Sequence, residues 1–200
     1  EIEDEHILVS IGVEGNSNGF GLESIGVDIG ENQHIKVNEN GQTNIDNIYA
    51  VGDVTGPPWL AHVSSSEGLY VVEYIANLNP KKIDYDCIPA CTYSKPEIGS
   101  IGLNQKMLDD KGVNYKIAKS FFNANGRAVA SGSTDGFIKI LVSDDNLILG
   151  AHIIGSNATE MISEFSLAMS NQLTLENILS SVHPHPTFSE AIFETLMQLK

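Results

Sequence analysis

Two β-rich runs, "FIKILV" and "LILGAHIIG", are joined by only four residues, "SDDN". Parallel strands need a crossover of a dozen residues or more, so a link this short and polar predicts an antiparallel hairpin. A third run, "YKIAKSF", precedes the pair, and "CIPACTY" and "EIGSIGL" read as further extended pieces. Between them a short helix is expected over residues 105–111, capped by Asn104 and ended by Gly112. After the hairpin the periodicity changes. Met161, Ile162, Phe165, Ala168 and Met169 form one apolar stripe, and Asn157 with Glu160 supplies an Asn-x-x-Glu helix start. Shorter helices follow at "TLENILSS" and from about residue 189 onward. Strands followed by helices in this order predict an α+β domain in which an antiparallel sheet carries helices on one face.

The preceding residues read differently. A short apolar strand is expected over residues 7–12, another near 35–37, then an Asn-Gly turn and a β-rich run over 48–51 that stops at Gly52-Asp53. A helix is expected from about residue 61 to 77, with Val63, Leu69, Val72, Ile75 and Ala76 near helical spacing. The loop "NLNPKKIDYD" places a domain boundary near residue 83. The chain reads as starting in mid-fold, because "EHILVSIG" is a strand pattern with nothing before it.

Charge narrows the partners. With 26 acidic against 11 basic residues the formal charge is −15, and no block of Lys or Arg occurs. Nucleic-acid backbones and anionic membrane surfaces are therefore poor partners. No apolar run approaches the length of a membrane span, and "EIEDEH" is too acidic for a signal or transit peptide. Cys87 and Cys91 lie in "DCIPACTY". On extended backbone, four steps separate them by about 13 Å. A disulfide needs about 4.4 to 6.8 Å, so buried free thiols of a reducing compartment are expected instead.

Two stretches carry chemistry. In "NIYAVGDV" an apolar run ends in Asp53, which sets a carboxylate at a sheet edge where it can accept two bonds from a diol such as a ribityl chain. The plainer alternative is a turn aspartate. A helix begins a few residues later, after "PPW", and its N–H groups and positive dipole end suit the negative charge of a reduced flavin. The second stretch is "SVHPHPTFSE". Each proline fixes its own φ and keeps the preceding residue out of helix, so His183 and His185 sit on stiff, non-helical backbone. Glu190 follows five residues after His185. With Thr187 it also makes the pattern of a capping box at the start of the last helix. A metal-binding tract is the remaining reading of the histidines, and it needs more ligands than the sequence places nearby.

In the order "GLESIGV", "IYAVGDV", "LAH", "EG", "YSKPEIGSIGL", "TDGFIKI", "LGAHIIG", "NATEMISE" and "HPHPTFSE", the chain resembles the pyridine-nucleotide disulfide oxidoreductases, and its ending resembles their dihydrolipoamide-oxidising branch. The resemblance implies that residues 1–83 hold the end of an NAD domain (about 1–13) and the C-terminal part of an FAD-binding region. Residues 84–200 would form the α+β interface domain. Gly12 would lie by the nicotinamide cofactor NAD, although Val13-Glu14 replaces the arginine usual after it. Asp53 would bind the ribityl chain of FAD, and Trp59, Leu60, Ala61 and His62 would flank the flavin ring, with Trp where Met is commoner. His185 would be the catalytic acid/base, Glu190 its orienting carboxylate and His183 a companion, and the His185-Pro186 peptide would be cis.

The implied activity is oxidation of protein-bound dihydrolipoamide, with electrons passing through a disulfide and FAD to NAD. The implied partners are a second copy of the chain and the lipoyl domains and core subunits of 2-oxoacid dehydrogenase complexes, in bacterial cytoplasm or a mitochondrial matrix. No G-x-G-x-x-G turn occurs, and Cys87 and Cys91 do not occupy the family's redox motif. The chain is thus expected to match the C-terminal part of such an enzyme and to be inactive alone. Two alternatives are a glutathione-reductase-like enzyme and a non-enzymatic dimerisation module.

Overall fold

The computed structural model describes residues 3–200. The chain divides into two compact units, Glu1–Ile83 and Asp84–Lys200.

In the second unit, β1 (Ala90–Thr92), β2 (Ile98–Gly102), β3 (Lys116–Phe121), β4 (Phe137–Val142) and β5 (Ile148–Ile154) form one sheet in the order β1-β2-β5-β4-β3. Every neighbouring pair is antiparallel. The four-residue link makes the expected hairpin: Ser143 N–H donates to the Leu147 carbonyl, and Asn146 supplies the positive φ of 63° that closes the turn. Alternation then sorts the side chains. Ile138, Ile140 and Val142 of β4 and Ala151 and Ile153 of β5 turn to one face and are buried. Helix α4 (Ala158–Ser170) lies over β2 and β5, and α6 (Glu190–Leu196) lies over β3 and β4. The expected stripe of α4 is the buried one: Met161, Ile162, Phe165 and Ala168 join Ile192 and Leu196 of α6 in a single core, with Met169 packed at its margin. Helix α5 (Leu175–Ser180) adds Leu175 and Ile178, and α3 (Gly126–Ser131) adds Ala128. The antiparallel sheet with helices on one face is as the sequence predicts, and α2 (Gln105–Lys111) adds cover on the opposite face. There Gln105 accepts from Lys139, whose neighbours in β4 both point to the main core.

Local signals set most helix ends. The Asn104 side chain accepts from Met107 N–H and Gly112 closes α2 in the left-handed region, as expected. The start of α4 differs. Asn157 is left-handed and, among the described residues, makes no side-chain cap; the Glu97 carboxylate accepts from Thr159 N–H and its hydroxyl at 3.2 and 2.8 Å. An acid delivered from the loop before β2 outcompetes the local Asn-x-x-Glu box. Cys87 and Cys91 are free thiols as expected, but both are half-buried rather than buried.

The first unit holds one long helix, α1 (Ala61–Ile75). The strands expected over residues 7–12, 35–37 and 48–51 reduce, among the described residues, to the single bridges Ile29↔Ile35 and Gln42↔Tyr49. A strand exists only when an edge takes its N–H and C=O groups. Residues 7–12 meet no such edge among the described residues, where Ile7, Leu8 and Ile11 are exposed. The apolar stripe expected on α1 is also corrected. Val63 and Val71 are buried, whereas Leu69, Val72 and Ile75 are exposed. The packed face is instead set by the chain before the helix. Glu67 accepts from Gly52 N–H at 2.7 Å and Tyr70 donates to Asn40 at 2.9 Å. Among the described residues no helix is long and apolar enough to cross a membrane.

Candidate functional site

The segment between α5 and α6 has an apolar anchor. Phe188 is buried, with its ring edge-on to Phe122 at 5.8 Å. The prolines stiffen what lies before it, and the His185-Pro186 peptide is cis. The two histidines, only two residues apart, have opposite fates. The His183 side chain is 9% exposed and that of His185 is 78% exposed.

Glu190 opens α6 and uses both of its oxygens. Oε1 lies 2.8 Å from Nδ1 of His185, and Oε2 accepts from Thr187 N–H at 2.8 Å. One carboxylate thus contacts both the imidazole and the Thr187 backbone, because two oxygens can serve two donors. The capping box itself is half made. Thr187 gives its hydroxyl to the Pro184 carbonyl, and the helix starts at Glu190 rather than at 188. The Thr187 N–H, and after it the His185 ring, hold the Glu190 carboxyl below its ordinary range. An acceptor on Nδ1 fixes the proton there and leaves the Nε2 lone pair available. This geometry lets His185 take up a proton from an external group.

Two contributors were not legible beforehand. Glu164 of α4 lies 3.0 Å from Nε2 of His183. Asn125, 1% exposed, accepts from Ala128 N–H to cap α3 and donates to the Thr187 carbonyl at 3.1 Å. "NANGRAVASG" did carry a signal for the second, an Asn cap followed by a Gly stop, although the bond to Thr187 spans 62 residues.

The other expected site residues belong to the first unit. Gly52–Thr55 is a single 3-10 turn in which Asp53 is exposed and its carbonyl accepts from Gly56 N–H. Gly52 has φ 79°, and a Cβ there would meet the Ser64 hydroxyl at 2.8 Å, so α1 approaches this turn closely. Leu60 is the N-cap of α1, Ala61 and His62 form its exposed first turn, and among the described residues no side chain caps it. Trp59 is 41% exposed, with its ring 6.2 Å from that of His34. His34 Nε2 is buried without a hydrogen-bond partner among the described residues. An uncapped helix start, an exposed carboxylate in the 3-10 turn that precedes it in the chain and an unsatisfied ring nitrogen beside an indole fit a polar, aromatic ligand with hydroxyl groups. Gly12 has φ 137° and is exposed, and nothing packs where its Cβ would stand.

Comparison with known proteins agrees with both units. Residues 88–196 match the dimerisation domain of the pyridine nucleotide-disulphide oxidoreductases, and residues 1–68 match the pyridine nucleotide-disulphide oxidoreductase family. The chain is 46% identical to a dihydrolipoyl dehydrogenase of Bacillus subtilis over 96% of its own length and 41% of the relative's. It is 42% identical to the mitochondrial dihydrolipoyl dehydrogenase of Sus scrofa, over 94% of this chain and 37% of that one. The structure of LpdA from Mycobacterium tuberculosis superposes with a TM-score of 0.92 at 27% identity, covering 98% of this chain and 43% of LpdA. The chain spans about two fifths of the length of the curated relatives it matches. A match over more than half of its residues, to a sheet and helices arranged as described above, places this chain in the pyridine nucleotide-disulphide oxidoreductase family, of which it carries the dimerisation domain.

Proposed function

We propose that this chain is the C-terminal part of a dihydrolipoyl dehydrogenase, a flavoprotein that oxidises protein-bound dihydrolipoamide and delivers the electrons to NAD. The observation that carries this reading is the His185–Glu190 pair, 2.8 Å apart, on an exposed loop of the dimerisation domain. The identity to the Bacillus subtilis and Sus scrofa enzymes supports the choice of substrate.

The residue types fit the chemistry. A thiol must lose its proton before sulfur can attack a disulfide, since the thiolate is the nucleophile. His185 accepts that proton at Nε2, and Glu190, holding Nδ1–H, stabilises the imidazolium. The freed substrate thiolate attacks one sulfur of an enzyme disulfide and expels the other as a thiolate. The second substrate sulfur, as thiolate, then displaces the first enzyme sulfur, which closes the lipoamide ring and leaves an enzyme dithiol. FAD, when bound, would supply the redox chemistry that passes the electron pair of that dithiol on to NAD. Asp53 would accept hydrogen bonds from the ribityl hydroxyls, the α1 start at Trp59, Leu60, Ala61 and His62 would lie along the flavin ring, and Gly12 would lie beside NAD. Residues 1–13 would close an NAD domain, the rest of 1–83 would complete an FAD-binding region, and 84–200 would form the interface domain.

The dimerisation domain supports a homodimer, in which His185 of one chain completes the disulfide site of the other. Lipoyl domains and core subunits of 2-oxoacid dehydrogenase complexes are the partners this activity requires. Bacterial and mitochondrial relatives support a bacterial cytoplasm or a mitochondrial matrix as its setting. The test is to assay the full-length protein for dihydrolipoamide-dependent NAD reduction and for glutathione disulfide reduction. Activity in the first assay alone supports the reading, and activity in the second alone overturns it. The 200-residue chain by itself is expected to reduce no NAD.

A further inference from the structure

We propose that Glu164 and His183 form a second carboxylate–imidazole pair that acts as a positioning device for His185. This rests on the reading of His185 as a thiol base. Three observations carry it. First, Glu164 reaches Nε2 of His183 at 3.0 Å while the His183 side chain is 9% exposed. Glu164 cannot drift, because the next residue, Phe165, is fully buried and α4 is packed on β2 and β5. Second, Nδ1 of His183 is buried and has no hydrogen-bond partner among the described residues, while the ring lies 6.2 Å from that of Phe193 in α6. A side chain that only filled this space would do so at lower cost as an apolar residue. What the imidazole adds is one directed bond to Glu164, which as an acceptor fixes the proton on Nε2. Third, Pro184 is the single residue between the two histidines and its φ is locked. A shift of His183 is therefore passed on to His185 rather than absorbed between them.

The loop is held at three places. His183 is tied to α4 through Glu164, the Thr187 N–H and the His185 ring are tied to α6 through Glu190, and the Thr187 carbonyl is tied to α3 through Asn125. His185 is the exposed imidazole of this frame. Removing the Glu164 carboxylate leaves both ring nitrogens of His183 buried and unpaired, so the ring is driven toward water and the backbone bearing His185 moves with it. Misplacement of a catalytic group by about 1 Å costs on the order of a hundredfold in rate.

The test uses the full-length protein with Glu164→Leu, Glu164→Gln, His185→Gln and the double variant His185→Gln/Glu164→Leu. Glu164→Leu is expected to lower kcat for dihydrolipoamide oxidation by about tenfold to a hundredfold, with KM little changed. NADH-driven reduction of a dye, which draws electrons without a thiol base, is expected to stay at the wild-type rate. Glu164→Gln, which keeps an acceptor oxygen for Nε2–H, should restore kcat to within about threefold. In the His185→Gln background Glu164→Leu should add nothing, because it acts through the residue already removed. An unaltered kcat in Glu164→Leu, an equal fall of thiol and dye activities, or additivity in the double variant overturns the proposal. NMR of 15N-labelled histidine provides a readout that needs no substrate. The His185 signals should show a proton fixed on Nδ1 in wild type and Glu164→Gln, and exchange between nitrogens in Glu164→Leu. An unchanged spectrum in Glu164→Leu overturns the positioning role even where the wild type proves inactive with dihydrolipoamide.

Discussion

Asn125 donates its side-chain N–H to the carbonyl of Thr187 at 3.1 Å, which joins the start of α3 to the histidine loop through a residue 1% exposed. The same side chain caps α3 through Ala128 N–H. Asn125→Ala removes both bonds and strands the Thr187 carbonyl. A lost cap costs about 1 kcal/mol and a lost internal hydrogen bond about another, so a fall of about 2 kcal/mol is expected. Asn125→Asp keeps the cap but turns an anionic oxygen toward the carbonyl, and should destabilise at least as much. Guanidinium denaturation of the two variants beside wild type measures both.

His185→Gln removes the proposed base and is expected to lower dihydrolipoamide oxidation by about 10²- to 10⁴-fold. Glu190→Gln is the more informative change. Glutamine offers one acceptor oxygen where Glu190 uses two, so either Thr187 N–H or His185 Nδ1–H loses its partner. The expected result is a fall in kcat of about tenfold to a hundredfold, smaller than for His185→Gln, with dye reduction retained. Steady-state kinetics of the full-length variants decides it.

Two acids on α6 predict opposite responses to pH. Glu190 is held below its ordinary value of 4.5 by Thr187 N–H and then by His185. Its stabilising contribution is present above that ordinary value and is lost as pH falls through the lower value of the folded state. Glu194 is pushed above 4.5 by burial, with Glu190 adding to it. Its folded form binds a proton more readily than its unfolded form, so Glu194 destabilises above its raised value and the penalty lifts as pH falls. Glu190→Gln should therefore lower the Tm at neutral pH and Glu194→Gln should raise it. Both differences should shrink toward acid pH. Thermal melts of the two variants across the acid range test the signs.

What was legible in the sequence was whatever is decided locally. The caps of α2 at Asn104 and Gly112, the hairpin at residues 143–146 and the closeness of His185 to Glu190 depend on residues at most eight apart. What was not legible depends on a distant neighbour. Glu164 looks like any half-exposed helix acid until His183, 19 residues on, is folded against it. The cap of α4 comes from Glu97, 62 residues before Thr159. The buried face of α1 is chosen by the turns at Gly41 and Gly52, which press on Val71 and Ser64, and not by the most apolar stripe of the helix. Residues 7–12 have a strand's composition, but pairing depends on an edge distant in sequence, which composition does not identify.

A close backbone approach in the sheet gives a prediction in which sterics and conformation can be separated. Gly102 and Gly150 face each other where β2 meets β5, and Leu103 N–H donates to the Leu149 carbonyl just beyond. A Cβ on Gly150 would land on the carbonyl oxygen of Leu103, a backbone atom with no rotamer to escape into. Gly112 is the contrast: it has φ 64°, but nothing stands within 4 Å of its would-be Cβ. Gly112→Ala pays only for a left-handed residue, about 1 kcal/mol. Gly150→Ala must separate two central strands, and overpacking that the surroundings cannot relieve lies at the upper end of about 1–3 kcal/mol or beyond it. The larger loss is therefore expected at Gly150, and denaturant midpoints for the two variants test that order. A reversed order would mean that β2 and β5 can slide apart cheaply, and the sheet would then not be the rigid floor on which α4, Glu164 and the histidine loop are held.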